Sequence, residues 1–74
     1  MDGSNVRQTI RIKAHQIKRL EPGTVVLMHD HWSGVTQRFR VVKYGHTVRL
    51  QSLDRPNVFI RPMNVVGNTY YIEG

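Results

Sequence analysis

Turn-forming residues punctuate this chain at short, regular intervals, and that spacing limits its possible folds more than any other feature. Glu21-Pro22-Gly23, Trp32-Ser33-Gly34, Tyr44-Gly45, Asp54-Arg55-Pro56-Asn57 and Gly67-Asn68 separate short segments rich in Val, Ile, Thr, Phe and Tyr. Segments of this composition, broken about every 8 to 12 residues, read as strands of an antiparallel meander. The expected strands are 24–31, 35–43, 46–52, 58–61 and 69–73, with a sixth at about 7–13. The N-terminal segment carries two signals. Ile10 and Ile12 alternate with Arg11 and Lys13 as in a strand, while Ile10, Ala14 and Ile17 share the i, i+4, i+7 spacing of a helix. A strand followed by a short helical turn is preferred, and residues 8–20 stay open between the two.

Pro62-Met63-Asn64-Val65 is expected to form a 3₁₀ turn before the last strand. Strand number, the tight Tyr44-Gly45 hairpin and this turn resemble an SH3-like barrel over about residues 20–74. The expected fold class is therefore mainly β: a small SH3-like barrel of five to six strands with a short helical turn, one domain over 1–74. Residues 1–7 are the candidate flexible segment. The architecture implies no particular function, because such barrels serve as nucleic-acid binders, peptide binders and subunits of large machines.

At 74 residues the chain holds one small core, since a domain of this size buries only about 60% of its unfolded surface. With no cysteine it has neither disulfides nor thiolate zinc ligands. No apolar run approaches the roughly 18 residues of a membrane span, and residues 1–7 lack the apolar centre of a secretory signal. The expected location is the cytoplasm. Starting at Met1 and ending just after the last strand, the chain reads as a whole small gene product without an effector domain of its own.

The middle hairpin points to a surface. With Tyr44 and Gly45 as the loop, Lys43 faces His46, Val41 pairs with Val48 and Phe39 with Leu50, forming an inner ladder. The outer face then sets Arg40 opposite Arg49 and Arg38 opposite Gln51, with no carboxylate among them. A following loop over Leu53–Asn57 places Leu50 opposite Ile60, Phe59 beside Gln51 and Arg61 beside Arg49. Directly opposed like charges cost up to about 1 kcal/mol, which an anionic partner would relieve.

Eleven Lys and Arg against five Asp and Glu, a net charge of +6, point the same way. The candidate binding residues are Arg38, Arg40, Arg49, Phe59 and Arg61, with Trp32 and Tyr44 at loop tips; Trp32 serves equally well as a lid on the core. Arginines beside an exposed ring suit single-stranded nucleic acid, where cations track phosphates and rings stack on bases. They also suit an acidic protein surface. The plainer alternative is a solvated basic face with Phe59 covered by the N-terminal segment. A second basic group, Arg7, Arg11, Lys13, Lys18 and Arg19, either extends the patch or forms another. Of Tyr70 and Tyr71, adjacent on one strand, one is expected inside and the other at the surface.

Catalysis, metals and cofactors are not expected. Glu21 and Asp54 lie in turns and Asp2 and Glu73 near the ends, so no acid and base pair forms, and Ser33 near His31 lacks a third group. His29-Asp30-His31 sets two imidazoles on one face of a strand, but two ligands do not make a metal site, and these side chains suit a strand end entering a turn. No phosphate-binding glycine loop and no small-molecule substrate pocket is expected. A membrane partner is not expected, because the chain has neither the long apolar helical face nor the lipidation signal needed for anchorage.

The first functional expectation is a nucleic-acid-associated binding module. The alternative is a small regulator or inhibitor, of the kind phages direct at host transcription, that docks on an acidic surface of RNA polymerase or another nucleic-acid-processing machine. Oligomeric state is undetermined.

Overall fold

The structure, a computed structural model, describes residues 9–73. The N-terminal candidate flexible segment and Arg7 lie outside the described residues. These form β1 (Thr9–Ile12), α1 (Ala14–Ile17), β2 (Val25–Asp30), β3 (Thr36–Tyr44), β4 (Thr47–Ser52), β5 (Phe59–Ile60) and β6 (Asn68–Glu73). The strand followed by a helical turn at the N-terminus matches expectation, as do the other strands to within a residue or two.

All pairings are antiparallel in one sheet of order β1-β6-β2-β3-β4-β5. Successive hairpins build β2 to β5, after which residues 61–67 return the chain to place β6 beside β2. One face carries the core. Ile12, Val26, Phe39, Val41, Leu50 and Tyr70 are buried there together with Ala14 and Ile17 of α1, and Leu20, Met28, Val48, Ile60 and Ile72 pack around them. The strands supply these residues at every second position, and α1 inserts Ile17, which is wholly buried, against them.

The sheet is not closed. β1 and β5 remain edges of an open six-stranded sheet, so the mainly β class holds while the closure of a barrel is not seen. β5 is limited to two residues, and Pro62, which has no N–H to donate, follows Arg61 immediately. The crossover replaces strand pairing in this region: Pro62 is buried, the Tyr70 hydroxyl donates to the Met63 carbonyl at 3.0 Å, and the Asn64 side-chain oxygen accepts the Ala14 N–H at 3.3 Å. The 3₁₀ turn expected over Pro62–Val65 is absent. Those residues run without regular structure into a turn closed by the Asn68 N–H on the Val65 carbonyl at 3.1 Å, with Gly67 at φ 93°.

The β3–β4 register differs from expectation by one pair. Gly45 and His46, not Tyr44 and Gly45, form the loop, so Tyr44 faces Thr47, Val41 faces Leu50, Val42 faces Arg49 and Arg40 faces Gln51. The cause is local. Placing Tyr44 and Gly45 in a tight hairpin turn would ask Tyr44 for a positive φ, whereas Gly45 at the first loop position, with φ 61°, supplies what a II′ turn requires. The shift spans an even number of positions, so every side chain keeps its face. The β4–β5 register is as expected, with Leu50 opposite Ile60 and Gln51 opposite Phe59.

Candidate functional site

Side chains on the face turned away from the core are set by the same registers. β3 contributes Arg38, Arg40, Val42 and Tyr44, β4 contributes Thr47, Arg49 and Gln51, and β5 contributes Phe59, with Arg61 just beyond it. No acidic residue of β3, β4 or β5 lies on this face.

Tyr44 and Phe59 come from strands on either side of β4, yet their ring centroids are 6.5 Å apart in an edge-to-face arrangement. Both rings stay open to solvent, at 58% and 43% exposure. Phe59 is not covered by β1, which occupies the opposite edge of the sheet. Arg40 faces Gln51 instead of Arg49, which corrects the expected like-charge opposition, and the two arginines lie on a diagonal. The Arg40 Nε donates to the Gln51 Oε1 at 2.7 Å, and the Gln51 Nε2 donates to the Pro56 carbonyl at 2.7 Å. Gln51 thus ties the guanidinium to the β4–β5 loop beside Phe59. Its role was not visible in the sequence, because it depends on the register.

Arg38 stands apart from the others. It lies 3.9 Å from Asp54, with both side chains mostly exposed, so one of the four arginines has a carboxylate neighbour, contrary to expectation. Such an exposed pair contributes little to stability. A shallow cleft of about 360 Å³ beside Tyr44 is lined by Arg40, Lys43 and Gln51.

Trp32 is not part of this constellation. It sits in the β2–β3 turn, beyond the end of β3 at which Thr36 lies, and successive strand residues add about 3.3 Å each toward Tyr44 at the other end. At 83% exposure it is not a core lid either. Its indole lies against Gly67, where an added Cβ would run into the ring. Gly67→Ala combines that collision with a positive φ, so the variant is expected to displace Trp32 and to lose about 1–2 kcal/mol. A shift in tryptophan fluorescence together with a lower urea midpoint checks it.

The turn carrying Trp32 is organised by Asp30. Its carboxylate accepts the Trp32 N–H at 2.9 Å and the Ser33 hydroxyl at 3.1 Å. The Trp32 N–H is the main reason its pKa lies below the ordinary carboxylate value; slight desolvation opposes, and Ser33 and the His29 charge add to the lowering. Since the folded value is depressed, the stabilisation is present above the unfolded value of about 3.9 and is lost as pH falls through the folded one. Acidification through that window is expected to loosen residues 31–35, read as amide shifts of Trp32 and Gly34 that titrate together, and Asp30→Asn is expected to abolish that titration.

His29 and His31 do share a face, with ring centroids 4.8 Å apart. Each already has a hydroxyl partner: the His29 Nδ1 shares a hydrogen bond with Thr36 at 2.8 Å, and the His31 Nε2 one with the buried Thr69 at 2.6 Å. Among the described residues no three potential metal ligands come together. Of the second basic group, Arg11 and Lys13 line a groove of about 590 Å³ with His15, Asn64 and Asn68, while Lys18 lines a different cleft and Arg19 is exposed. Tyr70 is buried and Tyr71 half-buried on the outer face beside Leu27, as the alternation required.

Comparison with protein-family models, curated proteins and solved structures finds no match to this chain. No helix among the described residues is long and apolar enough to cross a membrane.

Proposed function

We propose that this chain is a non-catalytic binding module for single-stranded nucleic acid, acting through the outer face of β3, β4 and β5. The observation that carries the reading is the exposed Tyr44–Phe59 pair set among Arg40, Arg49 and Arg61 on a face to which β3, β4 and β5 contribute no acidic residue. Two rings held edge to face offer a platform on which bases can stack, and flanking guanidiniums neutralise the phosphates between them. Backbone contact of this kind carries no sequence information, so binding is expected to be sequence-tolerant. We read the open sheet packed on Ile17 as an SH3-like barrel left open at one seam, and the cytoplasm as its place of action.

A protein partner is favoured by a different observation. Trp32 and Val66, 83% and 89% exposed, with Val35 at 50%, leave apolar surface at the far end of the sheet. A regulator docking on an acidic surface of RNA polymerase or a similar machine would use such an anchor together with the arginines.

Salt response separates the two. For a phosphate tracker, log affinity falls linearly with log salt, and Arg40→Ala or Arg61→Ala each lowers the slope by about one. Anisotropy titrations of a labelled mixed-sequence single strand at several salt concentrations read this directly. Absence of binding at low salt overturns the nucleic-acid reading.

A further inference from the structure

A cleft of about 360 Å³ opens where the residue following α1, the β3–β4 turn, β4 and the start of the crossover meet. Lys18, His46, Thr47, Arg49 and Arg61 line it, with Val48 and Pro62 as its apolar walls. Three permanent cations, one imidazole and one hydroxyl line it from three separate segments of the chain, and no acidic residue is among them. Arg49 is half-buried, whereas Arg38, Arg40 and Arg61 are exposed. Its Nη1 donates to the Val48 carbonyl at 2.9 Å, which holds the guanidinium at the cleft wall and leaves its other N–H groups for a ligand.

Charge density decides what would fit. A phosphodiester backbone presents single negative charges in series, and cations spread along a strand match it. Here the cations are gathered at one place. A phosphate monoester carries about −1.5 to −2 charges near neutral pH and three strong acceptor oxygens on one atom. Guanidinium groups take such oxygens bidentately, and an ammonium, an imidazole N–H and a hydroxyl can each donate to the remaining lone pairs.

We propose that this cleft is a site for a phosphate monoester dianion, and that on a bound strand it takes the terminal phosphate. The source of the phosphate rests on the nucleic-acid reading; the anion site itself does not. Arg49 and Arg61 belong to both surfaces, so a strand running over Tyr44 and Phe59 adjoins the cleft.

The test uses one mixed-sequence single strand in three forms, with a 5′-phosphate, with a 3′-phosphate and with hydroxyls at both ends, and inorganic phosphate alone. A phosphate at one end is expected to tighten binding by roughly tenfold at constant salt. That gain is expected to vanish in Lys18→Gln and in His46→Gln, exposed substitutions outside the core, while affinity for the hydroxyl-ended strand changes by less than about twofold. Inorganic phosphate is expected to shift the amides of residues 46–49 and 61. Equal affinity for all three strands, with no shift from inorganic phosphate, overturns the proposal and leaves the strand-binding reading standing. Phosphate-induced shifts without binding of any strand do the reverse, retaining the anion site with a free or mononucleotide phosphate as its ligand.

Discussion

Phe39→Ala is expected to leave little folded protein at 25 °C. Phe39 is buried at the centre of the sheet, opposite Val26 on β2 and Ser52 on β4, and it is among the largest fully buried side chains. Removing a core Phe typically costs about 3–5 kcal/mol through lost transfer free energy and the cavity left behind. A domain this short has little to spare, since a single core of its size rarely supplies more than about 3–5 kcal/mol without disulfides or metal. Urea unfolding followed by far-UV circular dichroism measures the effect. Val66→Ala is the control: Val66 is 89% exposed, so its truncation is expected to stay within about 0.5 kcal/mol. A Phe39→Ala midpoint close to that of the control would mean the core lies elsewhere.

Tyr44→Ala with Phe59→Ala is expected to remove most of the affinity for single strands while sparing the charge-driven part. A base stacked on an aromatic side chain contributes about 1–3 kcal/mol, so loss of either ring weakens single-strand binding by about fivefold to 150-fold. Tyr44→Phe keeps the stacking surface and is expected to bind nearly as wild type. Duplex supplies the second readout. Its bases are already stacked on each other, so it can use the arginines but not the rings, and the double variant is expected to bind duplex about as well as the wild type does. Equal weakening toward both forms would show that the rings act by holding the sheet face in shape, and would remove them from the interface. Because neither ring belongs to the buried core, the double variant is expected to fold, at the loss of their mutual contact, about 0.5–1.5 kcal/mol.

Strand positions were legible in the sequence because their signals are local. A half-buried strand needs an apolar side chain at every second residue, and Gly, Pro and Asn mark where the chain must turn. Thus alternation alone puts Val41, Phe39, Leu50 and Ile60 on the inner face, and Arg38, Arg40, Arg49, Phe59 and Arg61 on the outer side, whichever of the two hairpin registers is taken. A two-residue loop can be counted from Tyr44 or from Gly45. The two choices differ by an even step and preserve the faces while changing every cross-strand partner. The position at which glycine takes its positive φ decides between them, and it turned the expected Arg40–Arg49 opposition into an Arg40–Gln51 hydrogen bond.

Sequence alone, then, determined a small, basic, mainly β chain with two chemically distinct sheet faces, because alternation and turn chemistry act over a few residues. Three features were decided only by the tertiary structure. The edge-to-face meeting of Tyr44 with Phe59 spans a third strand; the gathering of Lys18 and His46 around Arg49 and Arg61 draws on segments far apart in the chain. Whether the sheet closes depends on how far β5 extends before Pro62 and on the packing of the crossover against Tyr70 and Ala14. Each arises from long-range packing of segments whose local patterns are satisfied equally well in other arrangements, so only the complete fold selects among them.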